Sequence, residues 1–392
     1  MRTLGEEYCL IKGRSDFRIT PDIDGKLLFG KTTSIEETRR VTEDQILREC
    51  PPKSVLYGNY GTGKTHTLYH IKYHLEKTFP GKLYTVYLKL PALQKNGNFQ
   101  VLHERILETL TQAKIQELVI QFQQRYSGPN LKTELIDFFN KNVDFAEAIL
   151  RMGLSGPACT DAWRWMMGES LDQNGLKNIG VTRNLNQPSD YVSVLRNIGK
   201  LFKEGPTKKE DQKTILLLID ECESLGKIKD VNAEGHWEYA LRELADPSNH
   251  DIGFILTLTA DVGTHKNLPQ VGKNAIYTRI VEDELGIYQI LSDIGEQKDV
   301  RQFMDDLLEV LVDHKCAKTK IDKQKLPIKN IETFPFTEDS LKTFTKWFLE
   351  SPQRRRPRFI ISMLNKLGMY ALRKEKPYFD DVTTLEILDI LS

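Results

Sequence analysis

Eight residues have types and spacing suited to holding a polyphosphate: Gly58-Asn59-Tyr60-Gly61-Thr62-Gly63-Lys64-Thr65. They satisfy the pattern G-x-x-x-x-G-K-[ST] at every fixed position. Glycines there let backbone N–H groups turn toward phosphate oxygens, and a following helix aims its positive end at them. The Lys64 ammonium is placed to reach the β- and γ-phosphates, and the Thr65 hydroxyl to hold Mg²⁺. The flanks agree with this chemistry. Ser54-Val55-Leu56-Tyr57 reads as a short buried strand running into the loop, and residues 66–79 read as a helix with Leu68, Ile71, Leu75 and Phe79 on one face. A glycine-rich turn with a surface lysine is the bland alternative, and the complete, correctly flanked pattern argues against it.

A second group lies far downstream. Ile215-Leu216-Leu217-Leu218-Ile219 precedes Asp220-Glu221. Five consecutive apolar residues mark a strand buried on both faces, as in a parallel sheet. Ligands of such sheets bind at the carboxyl ends of the strands. Asp220 is therefore placed to hold the Mg²⁺ water shell, and Glu221 to polarise an attacking water. Ile252–Thr259 reads as another buried strand with a polar tip. Thr259 there could orient the water or sense the γ-phosphate, and Thr257, on the same face, is the alternative. Arg279 could serve a neighbouring subunit's nucleotide, or be a plain surface arginine.

Positioning these groups takes several elements. Leu27–Lys31 and a helix over 34–47 precede the loop, either as a wall of an adenine pocket or as plain core. Leu83–Leu88, bounded by Pro80-Gly81 and Pro91, is a second strand. Residues 92–214 then carry helical patterns over 100–125, 131–152, 157–169 and 189–203. So long a connection must be a helical insertion or a small subdomain. Trp163 and Trp165 within it are expected to pack, with a base-stacking platform as the rival. A helix is expected over 234–246. From about residue 286 the pattern is helical, with no further strand required. The Lys-rich stretch 315–329 reads as a solvated loop. Pro357 suits a helix start, and Phe359, Ile360, Met363, Leu364 and Leu367 share one face beyond it. Arg358 then lies in a first turn, where it could be held toward a nucleotide, or it is one more member of a basic cluster with that role taken by Arg355 or Arg356.

The chain has 392 residues, enough for two domains. Hydrophobic residues make up 40% and charged residues 28%, ordinary for a globular protein. Lys+Arg and Asp+Glu both number 55, so overall charge gives no support to nucleic-acid binding and any such case rests on local patches. One patch is Arg354, Arg355, Arg356, Arg358, Lys366, Arg373, Lys374 and Lys376, set against Glu375 alone. It could face DNA, solvent or an acidic partner. The five cysteines show no C-x-x-C spacing, which fits reduced thiols in the cytoplasm better than a disulfide framework or a zinc site. Cys222, beside the acids, reads as a small packed residue rather than a nucleophile. No apolar run is long enough for a membrane span, and no signal-peptide core opens the chain.

Taken together, the loop at 58–65, Asp220-Glu221, the polar-tipped strand at 252–259 and Pro357-Arg358 resemble AAA+ or initiator-type P-loop ATPases. The resemblance covers roughly residues 26–385. Trp163-Arg164-Trp165-Met166-Met167-Gly168 and Phe334-Pro335-Phe336-Thr337 are similar to segments of the ATP-binding proteins of bacteriophage-exclusion and related bacterial genome-defence systems. The spacer at 92–214 departs from most AAA+ modules by its length. The resemblance implies an α/β fold: a P-loop parallel-sheet core over 1–290, the insertion at about 92–214, and a C-terminal helical lid over 291–392. Its implied cofactors are ATP and Mg²⁺. The catalytic set is Glu221, Lys64, Thr259, Arg279 and Arg358, with Thr65 and Asp220 on the metal. Partner proteins of a multi-component system and self-association are expected, with DNA met through 354–376 and no membrane. Three functions follow: an ATP hydrolase remodelling a DNA-associated complex, a nucleotide-gated switch, or a scaffold in which nucleotide is structural.

Overall fold

A computed structural model describes residues 3–11, 13–26, 33–94, 97–125, 130–228, 230–246, 248–259, 287–291, 294–351 and 354–390. Along the chain, α1 (Leu4–Glu7), α2 (Pro21–Asp24) and α3 (Thr33–Leu47) precede β1 (Lys53–Gly58), α4 (Lys64–Thr78) and β2 (Leu83–Lys89). The insertion carries α5 (Gln100–Leu110), α6 (Gln112–Arg125), α7 (Leu131–Phe138), α8 (Val143–Met152), α9 (Pro157–Met167), α10 (Gln173–Ile179) and α11 (Pro188–Glu204). Next come β3 (Thr214–Asp220), α12 (Val231–Ala245), β4 (Ile252–Thr259) and β5 (Ile287–Leu291). The chain ends in α13 (Gln297–Leu311), α14 (His314–Gln324), α15 (Glu338–Leu349), α16 (Pro357–Arg373) and α17 (Asp381–Ile390).

The strands form one sheet in the order β2-β3-β4-β1-β5. β2 pairs with β3 in parallel, Lys89 opposite Asp220, and β3 with β4 in parallel, Ile219 opposite Leu256. The apolar run of β3 is buried throughout, as a strand covered on both faces requires. β4 passes very close to the lead-in of β1. Phe254 N–H donates to Pro52 O at 2.7 Å, and a Cβ on Gly253 would sit 2.7 Å from that oxygen, so only glycine fits. The fold is thus an α/β P-loop architecture with a parallel sheet and a helical C-terminal region.

Contacts divide the chain into two compact units. One comprises 38–57 and 74–290. Its core joins Val86, Leu88, Leu217, Ile219, Phe254 and Leu256 of the strands to Phe99, Phe122, Phe145, Trp165, Phe202 and Trp237 of the helices. Trp237 packs edge-on to Phe99, and its indole N–H donates to Gly97 O at 2.9 Å. Both expected long helices break in two. Thr111 (φ 65°) separates α5 from α6, while Asn140 and Lys141 (φ 53° and 68°) follow α7 before α8 starts. A left-handed residue cannot continue an α-helix. Trp165 is buried with its N–H on Arg183 O at 2.9 Å, and Trp163 is partly buried against the same core, as the packing expectation had it.

The other unit comprises 1–37, 58–73 and 291–392. The expected boundary at 290/291 describes only part of this grouping, because N-terminal residues belong to the core of the C-terminal helices. Leu4, Tyr8 and Phe17 pack with Phe303, Leu307, Phe344, Leu364 and Leu367. The Tyr8 hydroxyl donates to Lys376 O at 3.1 Å, and Phe17 N–H to Asn365 Oδ1 at 2.9 Å. Three expectations are corrected. β5 is a strand beyond residue 286. The Lys-rich segment is largely α14, whose Asp313 cap accepts from Lys315 and Cys316 N–H and whose Ala317 is buried; Lys315, Lys318 and Lys323 are exposed, while Lys320 is turned inward onto Glu7. Cys9 and Cys316, 307 residues apart, form a disulfide beside the Leu10–Val312 bridge, so these two thiols are not free. No helix among the described residues is long and apolar enough to cross a membrane.

Candidate active site

β1 is buried along its length and delivers the chain into the phosphate loop. Gly61 and Gly63 adopt φ of +88° and +96°, conformations that side chains rarely take. Lys64 opens α4 and is buried. A buried ammonium is costly unless it donates hydrogen bonds. Here Lys64 Nζ donates to Gly58 O and Asn59 O, both at 2.9 Å. Thr62 Oγ1 also donates to Asn59 O at 2.9 Å, and Thr67 N–H to Gly63 O at 2.8 Å. The loop is therefore shaped around its own lysine, and a phosphate oxygen would be a stronger acceptor than a neutral carbonyl.

Arg358 reaches this loop from α16. Pro357 occupies the first turn, where its missing N–H costs nothing. Arg358 N–H donates to Gly61 O at 3.3 Å. Its guanidinium donates to the Tyr60 hydroxyl, and its Cζ lies 4.7 Å from the Tyr60 ring centroid. A Cβ on Gly61 would come 3.2 Å from Arg358 Cβ, so a close approach adds to the backbone need for glycine. Arg354 and Arg355 are engaged elsewhere, whereas Arg356 Cβ would lie 3.9 Å from a Cβ on Gly61. Arg355 donates to Leu349 O at 2.7 Å, while Arg354 stacks on Trp347 at 3.8 Å and pairs with Glu350 at 3.2 Å.

The acidic edge belongs to the other unit. Asp220 ends β3 with its carboxylate buried and oriented from two neighbouring strands. Tyr87 Oη donates to Asp220 Oδ2 at 3.0 Å, and Thr257 Oγ1 to Oδ1 at 2.5 Å. Glu221 takes a left-handed conformation (φ 61°, ψ 36°) just past the strand. Its N–H donates to Asp220 Oδ1 at 3.0 Å and Thr257 Oγ1 at 3.1 Å. That turn carries its side chain toward solvent, where Oε1 accepts from Lys89 Nζ at 2.8 Å. Burial pushes the Cys222 thiol pKa up, which agrees with a packed rather than a reactive cysteine. No group of three or more His, Cys, Asp or Glu set to hold a metal occurs among the described residues. Mg²⁺ needs no such group, since it is ordinarily bound through one or two carboxylates, waters and substrate phosphates.

The hydroxyl that meets the acidic pair is thus that of Thr257, whereas Thr259 is the last residue of β4. Arg279 and Leu27–Lys31 lie outside the described residues. Sequence reasoning passed over Tyr87 and Lys89. The parallel pairing of β2 with β3 puts them beside the acids, and a polar residue near the end of an edge strand was the available signal.

No protein-family model matches the chain. No curated protein matches it either. Solved structures with a similar chain course include the Aeropyrum pernix ORC1 protein in complex with DNA, at 13% identity and TM-score 0.44, over 93% of this chain and 66% of that one. Drosophila ORC bound to DNA gives 9% identity and TM-score 0.48, over 97% and 70%. Domain III of the Thermotoga maritima replication initiation protein DnaA gives 10% and 0.40, over 95% and 98%. The chain spans just under two thirds of the Aeropyrum chain. These likenesses are distant, and the fold assignment rests on the sheet order and the loop themselves.

Proposed function

We propose that this chain is a Mg²⁺-dependent ATP hydrolase of AAA+ type whose nucleotide state is read by its C-terminal helices. The observation that carries the reading is the complete phosphate loop with an arginine from α16 hydrogen-bonded to it. Lys64, now on two carbonyls, would exchange them for β- and γ-phosphate oxygens. Thr65 and Asp220 would hold Mg²⁺, which when bound neutralises phosphate charge. Glu221 would take a proton from the attacking water. Arg358 would contact the γ-phosphate and lose that contact after hydrolysis, with planar, charge-assisted hydrogen bonds that a lysine cannot match. Thr259 and Arg279 remain proposed accessories, the latter toward a neighbouring copy.

We extend the proposal to a DNA-associated, multi-component system of the genome-defence kind, acting in the cytoplasm. Support for direct DNA contact is narrower than the basic count of 354–376 suggests, since Arg354, Arg355, Arg358 and Lys376 have partners within the chain. Lys366, Arg373 and Lys374 are exposed. The ion pair of Glu221 with Lys89 favours a second reading, a nucleotide-gated switch with slow turnover. ATPase rates with and without DNA, for wild type, Lys64→Ala and Glu221→Gln, test both. Lys64→Ala should lose ATP binding, and Glu221→Gln should bind without turning over. Wild-type behaviour of Lys64→Ala would remove the site. Wild-type turnover of Glu221→Gln would remove the assigned base.

A further inference from the structure

We infer that Tyr60 is a holding partner for Arg358, keeping it off the γ-phosphate position until ATP arrives. This rests on the nucleotide reading above and names a residue that sets how ATP and ADP are told apart. Three observations point to it. Tyr60 occupies a variable position of the phosphate-loop pattern and is 61% exposed, although its ring is large and apolar. Packing against the sheet does not account for it. Its hydroxyl accepts from the Arg358 guanidinium, and its ring lies under the same group at 4.7 Å, so both faces of its chemistry serve one cation. The Arg358 backbone is anchored separately, through its N–H on Gly61 O at 3.3 Å. The side chain can therefore leave Tyr60 while the helix start stays on the loop.

ATP offers the guanidinium a dianionic oxygen cluster in place of a neutral phenol. Charge-assisted, forked hydrogen bonds to phosphate outweigh one phenol bond and a solvent-exposed cation–π contact. ADP has no γ-phosphate and leaves Arg358 on Tyr60. The holding contact therefore opposes ATP binding and leaves ADP binding alone. Tyr60 is a positioning residue: it touches Arg358, and Arg358 touches the nucleotide.

The test is nucleotide titration in Mg²⁺ with ADP and with the non-hydrolysable β,γ-imido analogue of ATP. The proteins are wild type, Tyr60→Phe, Tyr60→Ala, Arg358→Ala, Tyr60→Ala with Arg358→Ala, and Lys64→Ala. Tyr60→Ala should tighten the ATP analogue by about threefold to tenfold with ADP affinity unchanged, and Tyr60→Phe, which keeps the ring, by less. Adding Tyr60→Ala to Arg358→Ala should change nothing. Weaker binding of both nucleotides by Tyr60→Ala would make Tyr60 a direct nucleotide contact and overturn the inference. So would equal shifts for both nucleotides, or a Tyr60 effect that survives in the Arg358→Ala background. Should Tyr60→Ala fold poorly, Tyr60→Phe decides alone, and no change in its ATP-to-ADP affinity ratio counts against the inference. Lys64→Ala separates the two levels: if it binds like wild type, the nucleotide site itself fails, whatever Tyr60 does.

Discussion

Lys89 Nζ lies 2.8 Å from Glu221 Oε1, so the carboxylate proposed to activate water is already in an ion pair. Both side chains are about half exposed, at 54% and 51%. Such a pair adds little to stability, about 0–1 kcal/mol. Its consequence lies in where Glu221 points. With Oε1 tied to Lys89 the carboxylate is held toward the lysine, and a water must use its remaining lone pairs or draw it away.

Lys89→Ala is accordingly expected to raise basal ATP turnover several-fold while shifting the unfolding free energy by less than about 1 kcal/mol. Steady-state rates and urea denaturation of the same preparation check both halves. A turnover equal to or below wild type would mean that the pair does not restrain Glu221.

Thr257 should matter more to stability than Thr259. The Thr257 hydroxyl is buried, donates to Asp220 Oδ1 and accepts the Glu221 N–H. Thr257→Val keeps the shape and removes one hydrogen bond from each of those groups, while Glu221 N–H still meets Asp220 Oδ1, at a cost of about 1–1.5 kcal/mol. Thr257→Ser, which keeps the hydroxyl, should cost less. Thr259→Val, at the partly exposed end of β4, should stay within about 0.5 kcal/mol of wild type. Chemical denaturation of the three variants gives the order.

Gly61 and Gly13 form a controlled pair. Both have φ near +90°, but nothing lies within 4 Å of a Cβ on Gly13, whereas one on Gly61 meets Arg358 Cβ at 3.2 Å. Each alanine variant should lose about 1–2 kcal/mol from backbone strain. Only Gly61→Ala should also weaken binding of the ATP analogue. Equal nucleotide affinity in the two variants would contradict the close approach of α16 to the loop.

His103 gives a pH dependence with a definite sign. Burial depresses its pKa from the ordinary 6.5 to about 4, and Nε2 lies 2.7 Å from Met166 O. The folded protein holds it neutral, while the unfolded chain takes a proton below 6.5. Its contribution is present above pH 6.5 and is lost as pH falls from 6.5 to about 4, on the order of 3 kcal/mol in all. Denaturation midpoints across that window should fall more steeply for wild type than for His103→Gln.

Much of the site was legible in the chain because its signals are local. The loop needs consecutive residues in fixed order, and β3 announces itself through an unbroken apolar run ending in Asp220-Glu221. Helix starts at Pro357 and after Thr337 follow from chemistry within one turn. The buried face of α4, with Leu68, Ile71 and Leu75, follows from a 3.6-residue period.

The tertiary structure decided which distant residues meet. Lys89 and Tyr87 reach the acids only because β2 pairs in parallel with β3, a register that no local pattern encodes. Thr257 rather than Thr259 meets Asp220 because the stagger of β4 sets Leu256 opposite Ile219. Tyr60 meets Arg358 across 298 residues, and Cys9 meets Cys316 across 307, the latter within a core that joins the N-terminal segment to the last helices. Propensity and periodicity act over a few residues. Strand order and packing act over hundreds, and they are fixed by how whole apolar faces are buried together.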